Sequence, residues 1–195
     1  MHFLPWCRNR EYFTIMMHHF STGMRLLCCT ACLLFTVAAQ STDEAAGKQR
    51  VKAPAFTARD LRNKLVSTEK LLAEGPLIID FWATWCAPCN EEFKALKKIV
   101  ATYAKHNLRV LAVNEDGPSE ITRVRQAVAM KKLPFIVVMD NDKSIMEAYN
   151  VTALPSLFLV GTDGTIHLFS RGYIAGDEKK LEQKIKELLA EEQPQ

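Results

Sequence analysis

The chain has 195 residues, 48% of them hydrophobic, and a formal net charge of +3. That length suits one ordinary domain plus a leader segment. Arg8, Arg10 and Arg25 hold part of the positive charge, so residues 40–195 are close to neutral and carry no basic patch on the scale a nucleic acid needs.

Leu26 to Ala39 is an apolar run, LLCCTACLLFTVAA, with Arg25 before it and Gln40-Ser41-Thr42-Asp43 after it. A basic flank, a short hydrophobic region and small residues at its exit make residues 1–39 a predicted signal peptide, with Val37-Ala38-Ala39 as the cleavage pattern. The run is short for a membrane span, which takes about 20 residues; an uncleaved N-terminal membrane anchor is the alternative. Cys29-Thr30-Ala31 before Cys32 is a poor lipidation signal. Residues 40–52 are polar and small, with Lys48, Arg50 and Lys52, and read as a flexible tether. The folded domain is expected over residues 53–192.

Within that domain, Ser67 to Ala73 predicts a short helix capped by Ser67 or Thr68. Gly75-Pro76 is a turn that feeds an apolar strand through Leu77-Ile78-Ile79-Asp80. Phe93, Leu96, Val100 and Tyr103 recur at helical spacing. Leu108 to Val113 reads as a buried strand, followed by a loop, Asn114-Glu115-Asp116-Gly117-Pro118. Pro118 to Met130 reads as a helix with Ile121, Val124 and Val128 on one face, Pro134 to Met139 as a strand, and Lys143 to Tyr149 as a short helix. Leu157 to Val160 is a further strand, and Gly161-Thr162-Asp163-Gly164 turns it into Thr165 to Phe169. A final helix, Asp177 to Glu191, carries Leu181, Ile185, Leu188 and Leu189 on its buried side. The alternation argues an α/β fold, a central mixed β-sheet with helices on both faces.

The chemistry concentrates in Phe81-Trp82-Ala83-Thr84-Trp85-Cys86-Ala87-Pro88-Cys89, where a strand delivers a Cys-x-x-Cys pair to the start of a helix. Backbone N–H groups and the dipole of a helix N-terminus stabilise an anion. A thiolate at Cys86 is therefore favoured, and the thiolate is the nucleophile of disulfide exchange. Cys89, one turn inside, is placed to close a disulfide with Cys86 or to attack a mixed disulfide formed there. Asp80 ends an otherwise apolar run, so it is expected to be buried at a cost. Glu92 falls on the adjacent helical face. Either carboxylate could take the proton that Cys89 must lose. Cys7, Cys28, Cys29 and Cys32 all lie in the leader, so a processed, exported chain would keep Cys86 and Cys89 alone.

Trp85-Cys86-Ala87-Pro88-Cys89 on such a corner resembles the thioredoxin superfamily. Ala53-Pro54-Ala55-Phe56 resembles the opening of its TlpA/ResA-like and peroxiredoxin-like members, and the resemblance extends over about residues 53–191. It implies a thioredoxin-like fold with a TlpA-type extra αβ insertion. Asp80 matches the buried acid of thioredoxin and Glu92 the acid that follows the second cysteine in the ResA-like branch. Trp85 would lie beside an exposed sulfur, and Ala87 and Pro88 would face substrate between the cysteines. Pro155 read by itself is a strand-initial proline. By resemblance the Leu154–Pro155 bond is cis and faces the disulfide, leaving the Leu154 backbone free to pair with an extended substrate. Gly172 would leave space near the active site.

The function so implied is an exported, periplasmic or otherwise extracytoplasmic, thiol–disulfide oxidoreductase. It would reduce or exchange disulfides in protein substrates, apocytochrome c among them, with electrons from a membrane thiol-reducing protein. No organic cofactor is required, and a monomer is expected. Two other classes compete. A copper or zinc carrier would use the thiols with a third ligand such as His106 or His167. A non-catalytic module would use the Leu154 edge as a peptide dock and carry an inert or deeply buried pair. A peroxidase is a weaker alternative: Thr84 fits the peroxiredoxin pattern, but Phe81-Trp82 replaces its proline region. A purely structural disulfide across so short a loop would constrain the unfolded chain little.

Overall fold

The computed structural model describes residues 51–192. The signal peptide or anchor expected over residues 1–39 and most of the tether lie outside the described residues. In chain order the elements are β1 (Thr57–Arg59), β2 (Leu65–Ser67), α1 (Thr68–Leu72), β3 (Leu77–Trp82), α2 (Ala87–Thr102), β4 (Arg109–Asn114), α3 (Ile121–Lys131), β5 (Ile136–Met139), α4 (Ser144–Ala148), β6 (Ser156–Val160), β7 (Ile166–Arg171) and α5 (Asp177–Glu191). The five-stranded sheet runs β5-β4-β3-β6-β7, and β1 pairs with β2 as a separate hairpin. β3 is parallel to β4 and antiparallel to β6. β5 is parallel to β4 and β7 antiparallel to β6. The sheet is mixed, as expected.

Strand alternation sorts the core into two layers. Ile78 and Trp82 of β3, Val110 and Ala112 of β4, and Leu157 and Leu159 of β6 pack with Phe93, Leu96 and Ile99 of α2 and Leu181, Ile185 and Leu188 of α5. Leu77, Ile79 and Phe81, with Leu111, Val113, Phe158 and Val160, face Leu71 and Leu72 of α1 and Ile145 of α4. Every residue of β3 is buried, which is why it reads as a continuous apolar run instead of an alternating one. The segment between β4 and β6 supplies α3, β5 and α4, and β5 becomes the outer parallel strand.

Three details differ from expectation. The hairpin β1–β2 is new; its turn is built by Asp60, whose Oδ1 accepts from the N–H groups of Arg62 and Lys64 at 2.8 Å each. Pro118–Glu120 is a separate 3-10 turn ahead of α3. The fold also reaches further toward the N-terminus than residue 53. Lys52, placed in the tether, bridges Thr165, and the N–H of Ile166 donates to the Val51 carbonyl at 2.9 Å. Backbone pairing of this kind leaves little mark on side-chain type.

Candidate active site

The site forms where β3 ends. The N–H of Cys86 donates to the Ala83 carbonyl at 3.1 Å, closing the turn that leads into α2. Cys86 is the N-cap residue of that helix, in extended conformation, and its Sγ accepts the Cys89 N–H at 3.3 Å. Cys86 and Cys89 are joined in a disulfide with Cα atoms 5.4 Å apart. The sulfur of Cys86 thus occupies the place of the oxygen in an ordinary cap, where helix N–H groups meet an anion. Cys86 is 4% exposed and Cys89 fully enclosed. This corrects the expectation of an exposed sulfur: folding Sγ back to accept the Cys89 N–H in the first turn of α2 turns most of the side chain inward. The rim is open instead. Trp85 is 69% exposed, and Ala87 and Pro88 are exposed beside it.

The strand and helix that carry the disulfide also carry the two acids, Asp80 on β3 and Glu92 on α2. Asp80 shares its strand face with Ile78 and Trp82, so it points into the layer that holds α2. It is completely buried, and neither carboxylate oxygen has a hydrogen-bond partner. What it meets is the Glu92 carboxyl. Burial holds the Asp80 carboxyl well above the usual carboxylate range, and the neighbouring Glu92 adds to this. Burial likewise pushes Glu92 up to about 7; the neighbouring Asp80 carboxyl opposes that shift and the charge of Asp177 adds to it. Two carboxylates in one dry site cannot both ionise cheaply, and the pair retains a proton near neutrality.

The cis-proline loop completes this end of the sheet. The Leu154–Pro155 peptide is cis. The β3–β6 register pairs Phe81 with Ser156, which sets Pro155 alongside the end of β3 from which the disulfide loop springs. Pro155 is buried and Leu154 half-buried. The Pro155 carbonyl accepts the Gly172 N–H at 2.7 Å. Gly172 therefore has a different reason from the expected one. A Cβ there would meet nothing within 4 Å, but φ is +75°, so the residue supplies a left-handed turn rather than room. Gly172→Ala is expected to cost about 1 kcal/mol, read as a lowered denaturation midpoint without steric clash. Beyond it, Ile174 is 76% exposed.

Asp116 was hidden in what the sequence offers as a loop. Its Oδ1 accepts the Thr84 hydroxyl at 2.7 Å, and its Oδ2 accepts the Thr84 N–H at 2.7 Å and Asn114 Nδ2 at 2.8 Å. The carboxylate ties the residue two before Cys86 to the end of β4. The available signal was the parallel register, which sets Asn114 beside Trp82 and so places the loop after β4 next to the loop after β3. Behind it, Glu115 pairs with Lys143 at 3.0 Å, and burial pushes its carboxyl up to about 7. His106 lies past the far end of α2, and His167 packs against Gly161 at the β6–β7 turn. Among the described residues, no group of three or more His, Cys, Asp or Glu is arranged to hold a metal.

A redox-capable vicinal pair capping the helix after the central strand, facing a cis-proline on a thioredoxin-like sheet, defines a thiol–disulfide oxidoreductase of the thioredoxin-like class. A family model for the AhpC/TSA family matches residues 50–169, and the chain belongs to that family. It is 31% identical over 125 residues to the thiol-disulfide oxidoreductase ResA of Bacillus subtilis, a match covering 62% of this chain and 68% of that protein. It is 28% identical over 162 residues to ResA of Geobacillus kaustophilus, covering 79% of this chain and 91% of that one. Among solved structures, a Chlorobium tepidum protein provisionally named thiol:disulfide interchange protein DsbE superposes with a TM-score of 0.67 at 28% identity, over 72% of this chain and 96% of its own.

Proposed function

We propose that the chain is an exported reductant of protein disulfides, acting outside the cytoplasm after its leader directs it there. The observation that carries the chemistry is the Cys86–Cys89 disulfide at a helix N-cap, on the strand and helix that also carry a buried carboxylate pair. Export is supported by the basic-flanked apolar run at Leu26–Ala39 and by the confinement of the other four cysteines to that leader.

In the forward cycle the Cys86 thiolate attacks one sulfur of a substrate disulfide. An S–S bond to Cys86 forms, the substrate bond breaks, and one substrate sulfur leaves as thiolate. Cys89 then gives its proton to the carboxylate pair and attacks Cys86 Sγ. The second substrate sulfur leaves, the Cys86–Cys89 bond closes, and two electrons have passed to the substrate. Burial raises both carboxyls, so the Asp80–Glu92 pair holds a shared proton near neutrality, and Glu92, which lines the way to solvent, is the member placed to exchange it. Trp85, Ala87, Pro88 and Leu154 form the rim on which the substrate backbone lies. A membrane thiol-reducing protein restores the dithiol, and the cysteines of apocytochrome c are one fitting substrate class because they present a vicinal pair in an extended, unfolded chain.

The direct test mixes the reduced protein, without oxygen, with an oxidised Cys-x-x-Cys-His peptide. One equivalent of peptide dithiol per protein disulfide formed is expected. Absence of peptide thiols with the wild-type protein contradicts the reading and leaves metal or peptide binding in its place.

A further inference from the structure

A cleft on the flank of the buried acids has no place in the cycle above. It is a cavity of about 50 Å³ between α2, the β6–β7 strands and the start of α5. Glu92, Leu96, Leu157 and Leu181 form its inner wall and are buried; Asp177 and Lys180 at its outer edge are exposed. A single water needs roughly 10–15 Å³ of such volume and two to four polar partners. The Glu92 carboxyl and the hydroxyls of Ser170 and Tyr173 line the cavity. The Tyr173 hydroxyl donates to Glu178 Oε2 at 3.0 Å, which also accepts the Gly176 N–H at 2.8 Å. The charged and titratable groups facing Glu92 are Asp80 from β3, Tyr173 from the loop after β7, and Asp177, Glu178 and Lys180 from α5. Glu92 Oε2 is buried with no hydrogen-bond partner in the protein.

Asp80 and Glu92 are buried, so a proton delivered to them needs a path to solvent other than back through the sulfurs. We propose that this cleft is the proton exit: Glu92 passes the proton of Cys89 to water in the cavity, along a path lined by Ser170 and Tyr173. The inference rests on the cycling of Cys86 and Cys89. The balance is simple. The Cys89 S–H bond breaks heterolytically, its electron pair makes the bond to Cys86, and the Cys86–substrate S–S bond breaks with its electron pair leaving on the substrate thiolate; the proton goes to Glu92 and then to solvent, which returns Glu92 to its carboxylate.

Ala95 lines the cavity from α2 and carries no titratable or nucleophilic group. Ala95→Leu fills the path, and Tyr173→Phe removes one hydroxyl without filling it. The reduced protein is mixed rapidly with dithionitrobenzoate, and release of the second thionitrobenzoate reports attack by Cys89 on the Cys86 mixed disulfide. Ala95→Leu is expected to slow that phase at least about tenfold near pH 7, within the range that positioned proton transfer supplies, and to enlarge its solvent isotope effect. Tyr173→Phe is expected to slow it less. The reduction potential should stay at the wild-type value in both, because a route changes rates and not equilibria. Wild-type release rates in both variants, or slowing accompanied by a shifted potential, overturns the route. A wild-type protein that shows no second release overturns the redox cycle itself, and that control separates the two failures.

Discussion

Cys89→Ser is expected to accumulate covalent mixed disulfides with its substrates, whereas Cys86→Ser is expected to accumulate none. The reason is positional. Cys86 caps α2, keeps its small exposed fraction beside the open Trp85 rim, and has its sulfur at the helix N–H groups that favour thiolate. Cys89 is enclosed, one turn inside, and is bonded to Cys86. Without Cys89 the first exchange still happens and the second cannot. Without Cys86 the first never begins. Turnover should fall at least about a thousandfold in either variant, as losses of a nucleophile do, but only one of them leaves adducts. Non-reducing electrophoresis and mass measurement of the two variants, each incubated with the same disulfide substrate, separate these outcomes. Equal trapping by both reverses the assigned roles.

The second large effect concerns the buried acids. In the wild-type protein the rate of resolution is expected to rise with pH through about 7, as Glu92 becomes able to accept a proton. Glu92→Gln should flatten that rise, and Asp80→Asn should move it, because the Asp80 carboxyl no longer shares its proton. Unchanged kinetics in both single variants and in the double variant remove the proton-accepting role.

Stability gives an independent readout of the same pair. Glu92 titrates higher in the folded chain than its ordinary 4.5, so the folded state holds its proton more tightly than the unfolded state does. That contribution is fully present below about 4.5 and is lost as pH rises through about 7. The shift corresponds to roughly 3 kcal/mol for Glu92. Asp80 acts in the same direction. The oxidised protein should therefore be more resistant to denaturant at pH 5 than at pH 8. Glu92→Gln should be the more stable protein at pH 8 and should lose most of the dependence. Denaturant midpoints independent of pH over that range contradict a strained, proton-sharing pair.

These two results test what the sequence made most legible. A continuous apolar strand, a Cys-x-x-Cys corner and a helix with Phe93 and Leu96 at its core positions are local patterns, and each appears where expected. Asp80 stood out because a carboxylate in an apolar strand has few reasons to be there, and Glu92 because it falls on the helical face adjacent to Cys89; that the two acids meet is a long-range fact the sequence does not show. Long-range geometry was harder to read. Asp116 looks like any loop acid until the parallel register sets its loop beside Thr84. The β1–β2 hairpin escaped because its strands are three residues long and Leu65 is exposed, which gives no period to detect. The pairing of Lys52 with Thr165 joins backbone atoms, and the Lys52 ammonium also donates to Thr165 Oγ1 at 3.0 Å, a contact between distant segments that no local pattern announces. Gly172 was singled out correctly but for the wrong physical reason: its dihedral angle, not its missing side chain, fixes its identity.

The most direct measurement is the reduction potential of the Cys86–Cys89 pair, by equilibration against graded dithiothreitol or glutathione buffers. Burial of Asp80 and Glu92 disfavours extra negative charge in this layer and offsets the stabilisation that the helix N-cap gives a Cys86 thiolate, the effect that makes a strong oxidant when it stands unopposed. A potential near roughly −270 mV, the range of thioredoxin, is therefore expected and supports a reductant fed by a membrane donor. A value toward roughly −120 mV marks an oxidant that introduces disulfides, and a pair that never equilibrates marks no redox enzyme at all; either result contradicts the proposed function.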